Sequence, residues 1–314
     1  MKIGFLFPGQ GSQIVGMGKD LYEKYEDVKN VYEEVKKLTG IDVARISFEE
    51  EQEVLNQTKY TQICILTMSL AILKLLEKEN IKPEISSGLS LGEYSALVCS
   101  KAISFEDGVK LIKNRGEYMQ NLAPDGDWSM AAVLGMNEEQ INEVCSKVTK
   151  GFARPVNFNC PGQIVVSGDK QGIEEVEIIA KELGAKKVRI LNTSGPFHTE
   201  KLSKASDALR KDLENLKINN FETKVVKNLD GSFYDENENI TDILSNHIIS
   251  PVKFEDCLKT MLENEIDTFI EIGPGKTLSG FVKRMPVENE INILNINNIE
   301  TLENTINFLK KENN

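Results

Sequence analysis

The chain has 314 residues, enough for one large domain with an insertion or for two domains of ordinary size. Its residues are 40% hydrophobic and 27% charged, which excludes a collagen-like, largely disordered or coiled-coil protein. The net charge of -12 argues against a general nucleic-acid partner, because neutralising phosphates requires a basic surface.

Cysteine usage and the N-terminus exclude two further classes. The 5 cysteines are widely spaced and form no C-x-x-C pair, which indicates reduced thiols in the cytoplasm, and neither a disulfide framework nor a thiolate metal site. The first apolar run is stopped by Pro8 and Gly9 and is too short for a signal peptide or a membrane span. We therefore expect a cytoplasmic protein with no membrane partner and no metal.

The first part of the chain predicts repeated strand, turn and helix units. The predicted elements are a buried strand at Ile3–Phe7, a helix at 21–35, a helix at 61–76 that is apolar on all faces, a strand at 84–87, a helix after Leu91, and a helix from Ser104 to about Leu122. Ser104 resembles the start of a capping box, with Asp107 at its last position. This order is typical of an α/β fold.

The middle of the chain changes to a compact alternation. The predicted strands lie at 130–134, 155–158, 163–166 and 187–190, and the predicted helices at 138–148 and 170–183. The order βαββαβ predicts a ferredoxin-like unit inserted into a larger α/β domain. We expect a catalytic subdomain at 1–126 and 194–314, and a small ferredoxin-like subdomain at 127–193.

After the inserted unit the chain returns to longer elements. We predict a strand at Thr268–Ile272 and an amphipathic last helix that carries Leu302, Ile306 and Leu309. The polar segment 235–242 is predicted to be a loop.

The segment Gly-Leu-Ser-Leu-Gly at 88–92 matches G-x-S-x-G, the nucleophile elbow that exposes a serine on a tight turn between a strand and a helix. The turn places the N–H of Leu91 at a helix start, where backbone donors can stabilise an oxyanion. Chance matches to this pattern are common, so an ordinary turn between a strand and a helix remains an alternative. The predicted strand before it and helix after it favour Ser90 as a nucleophile.

A serine hydroxyl needs a base to remove its proton, and the chain has only 2 histidines. His198 follows the last predicted strand of the inserted unit, where Pro196 restricts the backbone. His247 lies near Pro251. Residue chemistry alone favours neither histidine as the base.

Arg115 lies in an apolar stripe of its predicted helix and has no acidic neighbour three or four residues away. An inward guanidinium needs an anion. One interpretation is a structural salt bridge to a distant Asp or Glu, and the other is a bidentate clamp on a substrate carboxylate.

Ordered motifs along nearly the whole chain resemble those of the malonyl-CoA:acyl-carrier-protein transacylase family of bacterial fatty acid synthesis, which is related to the acyltransferases that serve polyketide synthases in trans. The matching segments are Phe7-Pro8-Gly9-Gln10-Gly11-Ser12-Gln13, Gly88-Leu89-Ser90-Leu91-Gly92-Glu93-Tyr94, Arg115-Gly116, Met119-Gln120, Asn157-Phe158-Asn159, Pro161-Gly162-Gln163, Gly195-Pro196-Phe197-His198, Ser250-Pro251-Val252 and Glu271-Ile272-Gly273-Pro274-Gly275.

The resemblance implies an α/β-hydrolase-like large subdomain with a parallel sheet and a ferredoxin-like small subdomain. It also implies that Ser90 is acylated, that His198 is its base, and that Arg115 holds the free carboxylate of malonate. The backbone N–H groups of Gln10 and Leu91 would form the oxyanion hole. The substrates would be malonyl-CoA and the phosphopantetheine thiol of acyl carrier protein, with no further cofactor.

Two residues depart from the family pattern. Leu89 stands where the family usually has histidine, which bears on substrate breadth. His247 stands where a glutamine is usual, in a segment whose backbone carbonyl orients the catalytic imidazole of the family. The alternatives that remain are a polyketide synthase acyltransferase acting in trans, an acyl-thioester hydrolase, and an inactive carrier-binding module.

Overall fold

The computed structural model describes residues 1–191, 193, 195–235 and 237–312. The strands are β1 Ile3–Phe7, β2 Ile85–Gly88, β3 Trp128–Leu134, β4 Ala153–Cys160, β5 Gln163–Asp169, β6 Lys187–Leu191, β7 Lys224–Val225, β8 Thr268–Ile272 and β9 Asn292–Ile296. The helices are α1 Lys19–Lys24, α2 Glu26–Thr39, α3 Val43–Phe48, α4 Gln52–Leu55, α5 Thr58–Lys78, α6 Gly92–Cys99, α7 Phe105–Asn121, α8 Glu138–Ser146, α9 Lys170–Glu182, α10 Ser203–Leu213, α11 Ile240–His247, α12 Phe254–Glu263, α13 Thr277–Val282 and α14 Ile299–Glu312, with a short 3-10 turn at Glu200–Leu202.

The larger sheet is parallel and has the strand order β7-β2-β1-β8-β9. Strand β1 lies at its centre and is buried on both faces: Phe5 and Phe7 belong to one apolar cluster, and Leu6 belongs to another. Phe7 lies opposite Gly88 in the register of β1 and β2. The turns that follow these two strands therefore lie side by side at the carboxyl edge of the sheet, where open α/β sheets bind ligands.

The smaller sheet is antiparallel and has the order β4-β5-β3-β6. Helices α8 and α9 pack against it over an apolar cluster of its own. The predicted βαββαβ order is confirmed. Strand β4 also reaches the larger unit, because the N–H of Phe158 donates to the carbonyl of Val252 at 2.9 Å and the N–H of Val252 donates to Val156 at 2.8 Å.

Helix α5 confirms the prediction of a deeply buried helix. Among the described residues it is the one helix long and apolar enough to cross a membrane, and 83% of its most apolar window is buried inside the protein. Its 21 residues pack against α7 and α2, which explains why it is apolar on all faces.

Two local predictions need correction. The segment predicted as one helix at 21–35 forms α1 and α2, because Tyr25 between them adopts an extended backbone, with φ -112 and ψ 120. The segment 235–242 is not wholly a loop, since Asn239 accepts the N–H of Thr241 at 3.0 Å and starts α11 at Ile240. Residue Glu236 of that segment lies outside the described residues.

Ser104 starts α7 as predicted, and its hydroxyl accepts the N–H of Asp107 at 3.1 Å. In a capping box the acidic side chain accepts the backbone N–H of the first residue. Here the Asp107 carboxylate instead accepts the hydroxyl proton of Ser104, at 2.6 Å. The α/β fold with a parallel and a separate antiparallel sheet is confirmed. The subdomain boundaries at 126/127 and 193/194 stay a prediction, and Ser194 lies outside the described residues.

Candidate active site

Ser90 lies on a tight turn between β2 and α6, as the sequence pattern predicts. A Cβ atom on Gly88 would lie 2.1 Å from the carbonyl carbon of Gly92, and one on Gly92 would lie 2.1 Å from the carbonyl oxygen of Phe7. Only glycine fits at both positions. Ser90 itself has φ 55, a left-handed conformation that costs about 1 to 3 kcal/mol in a residue with a side chain. The surrounding chain holds this conformation and presents the hydroxyl to the cleft.

His198 faces the hydroxyl of Ser90. Its Nε2 lies 2.8 Å from Oγ of Ser90, and its Nδ1 lies 2.9 Å from the carbonyl oxygen of His247 and 3.1 Å from that of Ser250. A carbonyl can only accept, so the ring carries its proton on Nδ1 and presents a bare Nε2 to Ser90. Burial and the positive charge of Arg115 lower the pKa of His198 to about 4. The imidazole is therefore neutral at physiological pH and able to take a proton.

Arg115 is fully buried on α7 and points at the same hydroxyl. Its Nη2 donates to Oγ of Ser90 at 3.0 Å, and its Nη1 donates to the side-chain oxygen of Gln62 at 2.7 Å. The guanidinium carbon also lies 5.4 Å from the centre of the Tyr94 ring. Within the described ranges no carboxylate lies within ion-pair distance of Arg115, and its Nε has no hydrogen-bond partner. The structural salt bridge considered for Arg115 is therefore not found there.

All five predicted site residues line one cleft of about 1090 Å³. Gln10 follows β1, Leu91 follows Ser90, and the two turns meet because β1 and β2 are neighbours. In the part of the chain that the structure describes, the backbone N–H groups of Gln10 and Leu91 donate no hydrogen bond. Both groups are thus available to an oxygen placed beside Ser90. Leu89 lines the same cleft.

Three polar residues that support this arrangement are missing from the sequence-based prediction. Asn228 accepts the N–H of Ser90 at 2.7 Å through its side-chain oxygen, and its amide donates to the carbonyl of Gly88 at 2.7 Å. Nothing in the sequence around Asn228 signals this role, because the bonds join segments far apart in the chain. Gln62 was detectable, since it is the one amide side chain on the largely apolar helix α5.

The third of these residues is Glu93, a fully buried carboxyl in the first turn of α6. Burial raises its pKa to about 7, although the hydroxyl of Tyr234 and the N–H of Asn228 both donate to it. Among the described residues no group of three or more His, Cys, Asp or Glu is placed to hold a metal ion.

The family model described as "Acyl transferase domain" matches residues 4–297. The chain belongs to the acyl transferase domain family. This acyl transferase domain is 40% identical over 314 residues to the malonyl CoA-acyl carrier protein transacylase of Bacillus subtilis strain 168, and the match covers 99% of this chain and 98% of the relative.

Solved structures resemble this acyl transferase domain closely. The malonyl CoA-acyl carrier protein transacylase from Clostridium perfringens superposes with a TM-score of 0.94 at 42% identity, over 100% of this chain and 98% of that chain. A structure described as a type II PKS acyl-carrier protein in complex with its malonyl-transacylase matches with a TM-score of 0.93 at 32% identity, over 98% of this chain and 100% of that chain. The family resemblance inferred from the motifs is confirmed.

Proposed function

We propose that this protein transfers the malonyl group of malonyl-CoA to the phosphopantetheine thiol of an acyl carrier protein, through a malonyl ester of Ser90. One observation carries the proposal: Oγ of Ser90 lies between the bare Nε2 of His198 at 2.8 Å and the buried guanidinium of Arg115 at 3.0 Å. A nucleophile, its base and a cation for the substrate carboxylate are thus joined at one atom.

In the first half-reaction the Ser90 oxygen attacks the thioester carbonyl while Nε2 of His198 takes the hydroxyl proton. The imidazolium that forms still donates its Nδ1 proton to the carbonyl of His247, so the ring keeps its orientation. The tetrahedral oxyanion accepts the backbone N–H groups of Gln10 and Leu91. The carbon–sulfur bond then breaks, and the coenzyme A thiolate leaves with the proton that His198 returns.

Arg115 selects an acyl group that carries a carboxylate. Its planar guanidinium binds a carboxylate through two parallel hydrogen bonds, and its burial makes an unpaired charge costly. Pairing with malonate also offsets the positive charge that lowers the pKa of His198. Substrate binding therefore raises the basicity of His198 when the base is needed.

In the second half-reaction the carrier thiol enters the cleft that coenzyme A has left. His198 takes the thiol proton, the thiolate attacks the malonyl ester, and the proton returns to Ser90. Acyl carrier protein is thus the protein partner. The names of the relatives in Bacillus subtilis and Clostridium perfringens include this carrier, and the complex with a type II polyketide synthase carrier shows a related transacylase with such a partner.

The chemistry proposed for Ser90, His198 and Arg115 requires neither a metal nor an organic cofactor. We also place the protein in the cytoplasm, as the five unpaired cysteines indicate.

The acyl-carrier proteins of fatty acid and of type II polyketide synthesis share the phosphopantetheine thiol. We propose fatty acid synthesis as the main role, as the resemblance of the motifs to that family implies. Leu89 at the cleft wall removes an imidazole that the family usually has there, so we expect the range of accepted acyl groups to differ from that of relatives with histidine.

Incubation with malonyl-CoA and a carrier protein, followed by intact-mass spectrometry of the carrier, tests the proposal. Carriers of fatty acid and of type II polyketide synthesis are assayed in parallel, and the Ser90→Ala variant is the control. We expect the carrier to gain one malonyl group with the wild type and none with the variant. Release of coenzyme A with an unloaded carrier would identify a thioester hydrolase, and no reaction at all would refute the transfer and favour an inactive module.

A further inference from the structure

The ring of His247 occupies a buried position beside the catalytic pair without a function assigned to it. Only 1% of the residue is exposed, and within the described part of the chain neither ring nitrogen has a hydrogen-bond partner. Its Nδ1 lies 3.4 Å from Oε2 of Glu93, longer than an ordinary N–H···O hydrogen bond but close enough for a small ring movement to form one. Buried polar groups are seldom left unpaired, so this contact calls for a role.

Glu93 connects that position with the turn that carries Ser90. Its Oε1 accepts the hydroxyl proton of Tyr234, and its Oε2 accepts the N–H of Asn228 at 3.2 Å. The side chain of Asn228 in turn accepts the N–H of Ser90 at 2.7 Å. Glu93 is thus two hydrogen bonds away from the backbone of Ser90.

The backbone of His247 connects the same position with His198. Helix α11 ends at His247, and the carbonyl oxygen of this last residue accepts from Nδ1 of His198 at 2.9 Å. The two imidazole rings are 5.1 Å apart at an angle of 37°. A change in the orientation of His247 would therefore move the acceptor that holds the His198 ring.

We propose that His247 is a positioning residue that acts through its side chain. A hydrogen bond from its Nδ1 to Oε2 of Glu93 fixes the backbone carbonyl of His247 against His198. The same bond connects that carbonyl, through Glu93, with the turn that carries Ser90. The inference rests on the proposed acyl transfer. It concerns the buried side chain, whereas the orienting role expected from the family resemblance concerns only the carbonyl.

The charges around the pair favour a single proton between these two groups. Burial raises the pKa of Glu93 to about 7 and lowers that of His247 well below its ordinary value. Further groups that act on the pair are Arg115 on α7, His198 on its loop, Tyr94 on α6, and Tyr234 and Asp230 on the segment before α11. A charged His247 next to the imidazolium form of His198 is unfavourable, so the His247 ring stays neutral and its Nδ1 proton can be donated to Glu93.

Two substitutions separate this role from simple packing. In His247→Gln the side-chain amide can still donate a hydrogen bond to Glu93. The leucine side chain in His247→Leu has a similar volume but no hydrogen-bond donor. We expect His247→Leu to lower kcat for malonyl transfer by about 10- to 100-fold, with a KM for malonyl-CoA within about twofold of the wild type, because the base is misaligned while the substrate contacts remain. His247→Gln should retain kcat within about threefold of the wild type by the same reasoning.

Nuclear magnetic resonance of the histidine rings gives a readout that a loss of stability alone would not change. The protein has only 2 histidines, so His247→Leu leaves a single ring signal, that of His198. We expect the Nδ1 proton of His198 to shift or disappear in His247→Leu and to be retained in His247→Gln. The wild type should show a second downfield proton at Nδ1 of His247, which decides the question even where His247→Leu fails to fold.

Three results would overturn the inference: an unchanged kcat and His198 spectrum in His247→Leu, an equal loss in both variants, or no hydrogen-bonded Nδ1 proton for His247 in the wild type. Failure of the proposed function is distinguishable, because there the wild type itself would load no carrier and form no Ser90 ester.

Discussion

The Arg115→Ala substitution removes the buried cation while leaving Ser90 and His198 in place. In the structure the guanidinium bonds to the Ser90 hydroxyl at 3.0 Å and to Gln62 at 2.7 Å. When malonyl-CoA binds, we expect the substrate carboxylate to replace the first contact while Gln62 keeps the second. The variant therefore loses the whole interaction with malonate, whereas it loses nothing that an acetyl group needs.

The expected loss of malonyl preference in Arg115→Ala follows from the burial of Arg115. Removing one partner of a buried ion pair costs about 3 to 5 kcal/mol. The lower value applies here, because the cleft admits solvent. A loss of about 3 kcal/mol corresponds to a fall of about 10²-fold in kcat/KM for malonyl-CoA. For acetyl-CoA the wild type leaves the guanidinium only partly paired, at a cost of about 1 kcal/mol, so the variant gains about fivefold. The preference for malonyl over acetyl should therefore fall by between about 10²- and 10³-fold.

The assay measures kcat/KM for both thioesters with a saturating carrier protein. Arg45→Ala is the matched control, because Arg45 is 66% exposed and pairs with Glu50 on the surface. The control should retain the preference within experimental error. A preserved malonyl preference in Arg115→Ala would show that another group recognises the carboxylate and would refute the clamp.

Three further outcomes follow from the same geometry. Ser90→Gly and Ser90→Ala should both lose transfer, but the glycine variant should be more stable than the alanine variant by about 1 kcal/mol and unfold at a higher temperature, because residue 90 has φ 55. Equal stability of the two variants in calorimetry would argue against strain at this turn. Asn228→Ala leaves the N–H of Ser90 and the carbonyl of Gly88 unpaired and should cost about 2 to 6 kcal/mol in chemical denaturation, whereas the exposed Asn215→Ala should cost almost nothing. The pKa of His198 is lowered to about 4, so the acid limb of kcat/KM should lie well below pH 6.5 and should move to higher pH in Arg115→Ala, because one cause of the lowering is removed; an unmoved limb would contradict the coupling.

The pKa of His198 also bears on stability. The unfolded chain binds a proton at His198 below about pH 6.5, whereas the folded protein does so only near pH 4. Because the unfolded state binds more protons between these values, this residue makes the free energy of unfolding fall as the pH drops through that window.

Local patterns predicted the parts of the site that neighbouring residues determine. The turn at Ser90 follows from two glycines and the adjacent strand and helix, and the inward direction of Arg115 follows from the apolar stripe of α7. The buried helix α5 was predictable because every face of its sequence is apolar. The family resemblance then placed His198 opposite Ser90, which the residues alone could not do.

Other features depend on contacts between distant segments. The break at Tyr25 between α1 and α2 leaves the helical pattern uninterrupted, so periodicity cannot reveal it. Strand β7 has only two residues and exists because Val225 pairs with Ser86 across the sheet. Asn228 and Glu93 act through bonds to residues more than 100 positions away, and no sequence pattern records such a pair.

The most direct test of the account is the mass of the enzyme itself after brief reaction with malonyl-CoA and acid quenching. We predict one added malonyl group, located by peptide mapping on the segment that contains Ser90 and removed when a carrier protein is added before the quench. An adduct on another residue, or transfer to the carrier with no adduct formed on the enzyme, would contradict the central claim.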